Sequence, residues 1–172
     1  MKNIIISTVP RDNCLVEQAI LDLSDAVSVS EIIHTENMNI HACIGCNDCW
    51  LKTPGICSIK DDYEQVFIKL LQADRVIFIA DTKFGFVSYK MKNIFDRILP
   101  IATMHIKFVK GQMRHYNRYN KRVDMGLLYL GDGDAEFLRE WMERVTLNFG
   151  SESLGVYEIA GRKELCDALN RD

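Results

Sequence analysis

Four of the six cysteines fall in one short stretch, His41-Ala-Cys-Ile-Gly-Cys-Asn-Asp-Cys-Trp-Leu-Lys-Thr-Pro-Gly-Ile-Cys-Ser58. Cys43, Cys46, Cys49 and Cys57 there follow a C-x2-C-x2-C-x7-C spacing. Thiolates spaced in this way converge on one centre without strain. Three in a row suit a corner of an iron–sulfur cube, with the fourth supplied after the Pro54-Gly55 turn. A structural zinc site is a second reading, although it usually takes two well-separated pairs of ligands. A third is a small, partly buried loop whose cysteines serve only as compact apolar residues. His34, His41, His105 and His115 show no metal-ligand spacing among themselves. Cys14 and Cys166 stand singly in helical stretches, where a cysteine is read as packing.

These residues need a frame. With 172 residues, 48% of them hydrophobic, the chain is expected to form one domain over residues 1–172 with a sizeable core. A formal net charge of -3 gives no overall drive toward nucleic acid or an anionic membrane. The apolar run Ile4-Ile5-Ile6 is too short for a signal-peptide core, and nowhere do eighteen apolar residues follow one another, so a cytoplasmic protein is expected. In a reducing cytosol, clustered cysteines serve as ligands or redox-active thiols rather than structural disulfides.

Strands and helices alternate along the chain. Ile4-Ile5-Ile6, residues 76–80 and residues 125–130 are continuous apolar runs, as buried central strands require. Residues 27–30 alternate, which predicts an edge strand, and residues 156–160 predict a fifth. Between them, Leu15, Val16, Ala19, Ile20 and Leu23 share one helical face behind a cap at Asp12 or Asn13. Tyr63, Val66, Phe67, Leu70 and Leu71 share another behind Asp61 or Asp62, and Met91, Ile94, Phe95, Ile98 and Leu99 a third, which Pro100 kinks or ends. Phe137, Leu138, Trp141, Val145 and Phe149 make a fourth, and Leu165 and Leu169 a short last helix. The fold class is therefore α/β: a three-layer, doubly wound, parallel five-stranded sheet with helices on both faces. Such sheets bind ligands at the carboxyl ends of their strands, so the candidate loops are residues 7–13, the cysteine loop, 81–87 and 131–134.

Together these stretches resemble the flavodoxin-like superfamily, in particular its NAD(P)H-dependent FMN reductases and iron–sulfur flavoproteins. The resemblance rests on Cys43-Ile-Gly-Cys-Asn-Asp-Cys49, Gly55-Ile-Cys-Ser-Ile-Lys-Asp-Asp62, Ala73-Asp74 and Met91-Lys-Asn-Ile-Phe-Asp-Arg97, in that order. His115, Arg118 and Tyr119 resemble a His-x-x-Arg-Tyr element of some members. The resemblance implies strand order 2-1-3-4-5, bound FMN, and commonly a homodimer or higher homo-oligomer that completes the flavin site. Carried over, it places the FMN on Ser7, Thr8, Pro10, Arg11 and Asn13, with Thr82, Lys83, Phe84 and Gly85 and with Gly131, Asp132 and Gly133. A 4Fe-4S cluster would lie on the four loop cysteines. The chain departs from the pattern at Val9, Leu15 and Val16, where relatives carry polar phosphate contacts. Asp12 sets a carboxylate beside the expected phosphate, and Asp81 and Lys83 put opposite charges where the flavin ring belongs.

Between Arg97 and Asp124 there is no acidic residue, while Lys107, Lys110, Arg114, Arg118, Lys121 and Arg122 are basic. Such a segment either attracts the phosphates of NAD(P)H or an acidic redox partner, or is a solvated connecting surface. Two functions follow from these observations. One is an FMN-dependent oxidoreductase in which the flavin does the chemistry and no side chain need act as nucleophile or base. It would pass electrons between NAD(P)H and a small-molecule or protein acceptor, through a cluster if the cysteines hold one. The other is a flavodoxin-like binding or regulatory protein that has lost its flavin.

Overall fold

Successive residues of the first strand feed two different cores, which is why that strand is apolar throughout. The computed structural model describes residues 1–109 and 111–170. In chain order its elements are β1 (Asn3–Ser7), α1 (Cys14–Ala26), β2 (Val29–His34), α2 (Asp48–Leu51), α3 (Tyr63–Gln72), β3 (Arg75–Lys83), β4 (Phe86–Val87) and α4 (Tyr89–Asp96). There follow β5 (Ala102–Val109), β6 (Gln112–Asn117), β7 (Asp124–Leu130), α5 (Ala135–Phe149), β8 (Ser153–Glu158) and α6 (Arg162–Leu169). Side chains alternate across a strand. Ile4 and Ile6 of β1, with Val76, Phe78 and Ala80 of β3, therefore enter the core under α3, α4 and α5. Ile5, Ile77 and Ile79 enter the opposite core, under α1 and α6.

The parallel strands lie in the order β2-β1-β3-β7-β8. Counted among themselves they run 2-1-3-4-5, the order the resemblance implies. The sheet is doubly wound, and its strand order reverses between β1 and β3 while these strands all stay parallel. The carboxyl ends of these strands present the loop after β1 beside the loop after β3, and the loop after β7 beyond it.

Several elements differ from the sequence expectation, each for a physical reason. The edge strand runs over Val29–His34 rather than residues 27–30, because Ile33 pairs beside Ile6 and closes the core there. The fifth strand ends at Glu158, and Ile159–Gly161 form a 3-10 turn. In α1, Val16, Ala19 and Leu23 are buried, while Leu15 is 48% exposed because it lies off the stripe that faces the sheet. Residues 81–87 are not an open loop: β3 continues to Lys83 and folds back as β4, through Phe84 and Gly85, both with positive φ. The largest departure is residues 102–117, expected to be a connecting surface and found as the antiparallel hairpin β5-β6. Its strands pair only with each other, so no core-facing pattern marked them. Lys110 lies outside the described residues. Among the described residues no helix is long and apolar enough to cross a membrane.

Candidate functional site

The lead-in to the cysteine loop is fastened on both sides. The amide of Asn39 donates to Asp62 (2.7 Å), the amide of His41 to Asp61 (2.9 Å), and Asn93 donates to the carbonyl of Ile40 (3.0 Å). The Asp61-Asp62 pair and the Asn93-to-Arg97 stretch, known until here only as sequence signatures, thus act together as a clamp. Beyond it the chain enters α2, a single turn whose Trp50 donates to the carbonyl of Leu99 (2.9 Å) and packs 4.8 Å from the ring of His115. Past α2 the Pro54-Gly55 turn is seated on Arg118 and Tyr119. A Cβ on Gly55 would stand 2.8 Å from Tyr119 Oη and 3.0 Å from Arg118 Cδ.

So held, Cys43, Cys46, Cys49 and Cys57 line one small cavity with Ile44, Gly45, Arg97 and Pro100. All four are free thiols. Among the described residues, no three histidine, cysteine, aspartate or glutamate side chains converge as they would on a single ion. Ligands standing apart around a cavity suit a cube, which places one thiolate on each of its irons. The free volume is only about 20 Å³, roughly room for one water. Its outer lip is Ile44, 73% exposed, and Gly45, around which a Cβ would meet nothing within 4 Å. Four cysteine sulfurs lining one cavity are the donor set that a cubane cluster takes.

The electrostatics of the wall are uneven. A hydrogen bond with Ser58 (3.4 Å) holds the Cys46 thiol below its ordinary range. Burial pushes the Cys49 thiol up, and the neighbouring Cys57, Cys43 and Cys46 push it further. Behind the cavity lies Arg97, its side chain wholly buried. It donates to Asp61 (2.5 Å), to the carbonyls of His41 (3.3 Å) and Ile59 (3.1 Å), and to Cys57 Sγ (3.5 Å). Its guanidinium also stacks 4.5 Å from the centre of the Tyr63 ring. Burial opposes ionisation of Asp61, but donation from Arg97 and from the amides of His41 and Tyr63 outweighs it and brings the carboxyl down to about 2.

At the sheet end the picture is different. Thr82–Gly85 and Gly131–Gly133 meet there, with Gly85 bridging Gly133, Thr82 donating to the carbonyl of Leu130 (2.8 Å) and Asp132 accepting from the amide of Phe84 (3.1 Å), and Ser7–Asn13 leaves the neighbouring strand where the amide of Thr8 donates to Ile79 (3.0 Å). The polar side chains, however, serve the protein itself. Ser7 bonds Val9, the Asn13 side-chain Oδ1 caps α1 by accepting from the amides of Leu15 and Val16, and Asp81 accepts from Ser88. Arg11 is taken by Glu36, whose carboxylate accepts from its amide (2.6 Å) and its Nε (3.1 Å). Thr8 is buried, Pro10 and Lys83 are exposed, and Phe84 is 99% exposed. The amides of Asp12 and Cys14 make no hydrogen bond among the described residues and face the amino-terminal end of α1. A phosphate would find these backbone donors, but it would meet a resident carboxylate on Arg11.

No family model matches the chain. An iron–sulfur flavoprotein of Methanocaldococcus jannaschii is 34% identical over 105 residues, 59% of this chain and 53% of its own length. One from Archaeoglobus fulgidus is 26% identical over 141 residues, 82% of this chain and 58% of its own. In sequence, the chain is similar to the iron–sulfur flavoproteins. It spans little more than half the length of these two relatives. In structure it resembles an azoreductase from Bacillus anthracis, with a TM-score of 0.64 over the whole of both chains at 13% identity. An NAD(P)H:quinone oxidoreductase from Methanothermobacter marburgensis matches with a TM-score of 0.59 at 14% identity, over 98% of this chain and 94% of that one. At such identities these two neighbours establish the flavodoxin-like fold.

The residues expected from the likeness to iron–sulfur flavoproteins thus divide. The four cysteines are brought to one cavity, and the His115, Arg118 and Tyr119 element braces it from below. The sheet-end residues are brought together but are engaged with one another. Two residues carry roles that sequence reasoning missed. Arg97 was visible as an arginine three residues after Ile94, in line with the apolar stripe of α4 and just past its end. Glu36 gave no sequence signal, because its contact with Arg11 is made across the sheet end.

Proposed function

We propose that the protein is an FMN-dependent oxidoreductase with an iron–sulfur cluster on Cys43, Cys46, Cys49 and Cys57. The observation that carries this reading is the gathering of those four thiols around one cavity, in a chain 34% identical over 105 residues to an iron–sulfur flavoprotein. When bound, a flavin exchanges electrons in pairs or singly and a cluster relays them one at a time. The protein's share is binding and orientation. The amides of Asp12 and Cys14, at the positive end of α1, receive the FMN phosphate, and Arg11 joins them when Glu36 releases it. Thr8, Pro10 and Asn13 shape that turn, and Ser7 holds its start. The backbone of Thr82, Lys83, Phe84 and Gly85, with that of Gly131, Asp132 and Gly133, would line the ring, and the exposed Phe84 would cover it.

NAD(P)H is the proposed donor, and a small molecule or a protein the acceptor; neither nucleic acid nor a membrane is part of the reading. The six free thiols fit a reducing cytosol. The test is an anaerobic preparation, assayed for iron and sulfide and titrated with FMN. A brown protein that gains a yellow, quenched flavin is the expected result. Colourless, iron-free protein that leaves FMN fluorescence unchanged overturns the reading.

A further inference from the structure

The geometry points to Arg97 as the residue that offsets the negative charge of the cysteine cavity and thereby sets the reduction potential of a cluster held there. This rests on the cluster reading above. Arg97 is the fixed cation in the wall of that cavity: its Nη2 stands 3.5 Å from Cys57 Sγ, and its side chain has no exposed surface. Asp61 binds the Nη1 side, so the pair is a dipole whose positive end meets the sulfur. The carbonyls of His41 and Ile59 hold that orientation, and the Tyr63 ring lies against the guanidinium.

Folding alone does not require such an arrangement. A buried ion pair is commonly no more stabilising than an apolar pair of the same volume. Moreover, the Nε of Arg97 is buried with no hydrogen-bond partner, which weakens the case for a purely structural role. What the cation would offset is the charge of the four cysteines around this cavity once they bind a cluster as thiolates, which repel one another in a low-dielectric wall. Reduction adds one further negative charge to that assembly and makes or breaks no bond. A cation at fixed short range stabilises the reduced form more than the oxidised one, and hydrogen bonds to cluster sulfurs act in the same direction.

The test is a mediated redox titration of the reconstituted protein, with reduced viologen giving up one electron per cluster and electron paramagnetic resonance counting reduced clusters. It uses wild type, Arg97→Lys, and Arg97→Gln combined with Asp61→Asn, which removes both charges and keeps hydrogen-bonding groups. Flavin need not be present. The neutral pair is expected to lower the reduced-to-oxidised ratio at a fixed potential about tenfold, with Arg97→Lys staying close to wild type. Loss of iron uptake by the folded neutral pair alone supports the same assignment, because the charge is then what lets the thiolates share the cavity. An unchanged ratio with full iron content overturns it and leaves the cluster reading standing. So does Arg97→Lys behaving like the neutral pair, since shape rather than charge would then be at work, or a neutral pair that does not fold, since the ion pair would then serve the fold itself. Wild type that takes up no iron removes the cluster reading, and this inference with it.

Discussion

Arg11, Glu36 and Asp61 show how one side chain can change what a loop offers a ligand. The carboxylate of Glu36 lies where the likeness puts an FMN phosphate, on the amide and Nε of Arg11. Glu36→Gln is expected to tighten FMN about tenfold, on the order of 1.4 kcal/mol for one like charge removed from beside a phosphate. Riboflavin, which lacks the phosphate, should be unaffected, and quenching of flavin fluorescence reads both. Asp61 makes the opposite case, a carboxylate that the fold needs ionised. Its folded value of about 2 lies below the ordinary value of 3.8. Its contribution is therefore complete above about pH 4 and is lost as the pH falls toward 2. Asp61→Asn alone leaves Arg97 buried beside an uncharged partner and is expected to destabilise the protein by about 3–5 kcal/mol. The double variant with Arg97→Gln should recover part of that loss in urea unfolding, whereas additive losses would show that the two residues do not act as a pair.

Among the elements, the hairpin β5-β6 matters most to the site without contributing a ligand. His115 at its end packs on Trp50, and Arg118 just beyond it donates to the carbonyls of Pro100 (3.2 Å) and Ala102 (3.4 Å) beneath the Gly55 turn. Gly55 has a φ of 87° and no room for a Cβ, so Gly55→Ala combines backbone strain with a clash. A loss of roughly 1–3 kcal/mol is expected there. It should appear as faster hydrogen exchange confined to the cysteine loop and α2, and uniform exchange across the sheet would contradict the local assignment. The basic residues of this region are largely engaged: Lys121 pairs with Asp74, Arg122 with Asp124 and Glu152, and Lys107 lies 4.9 Å from the Tyr116 ring centre.

For the whole molecule, the hairpin leaves an apolar stripe in solvent. Met104 is 53% exposed, Ile106 56%, Phe108 76% and Met113 60%. Phe108 pairs across the strands with Met113, so these side chains share one face. Exposed apolar surface gathered on one element suits an association site, and we propose this face as the contact of a homo-oligomer. Replacing both Ile106 and Phe108 by glutamate is expected to convert a dimer into monomers in sedimentation velocity, with the far-ultraviolet dichroism unchanged. A native protein that sediments as a monomer, or a dimer that survives the change, would place the interface elsewhere or remove it.

The alternation of apolar runs with helical stripes determined the layers, family likeness implied the strand order, and the caps were narrowed to Asp12 or Asn13 and to Asp61 or Asp62, because these depend on neighbours a few residues apart. Asn13 caps α1, and Asp62 holds the N-cap position of α3 while Asp61 accepts from the amide of Tyr63. The cysteine spacing determined the candidate ligands for the same reason. Tertiary structure alone decided that Glu36 reaches Arg11, that Arg97 stands behind Cys57, that Arg118 and Tyr119 support Gly55, and that residues 102–117 pair with each other rather than with the sheet. Each of these contacts joins residues distant in sequence, or a segment whose burial has no period to read. Local chemistry writes periodicity and spacing into a chain, whereas the partner a charge finds depends on which loops the finished sheet brings to one end.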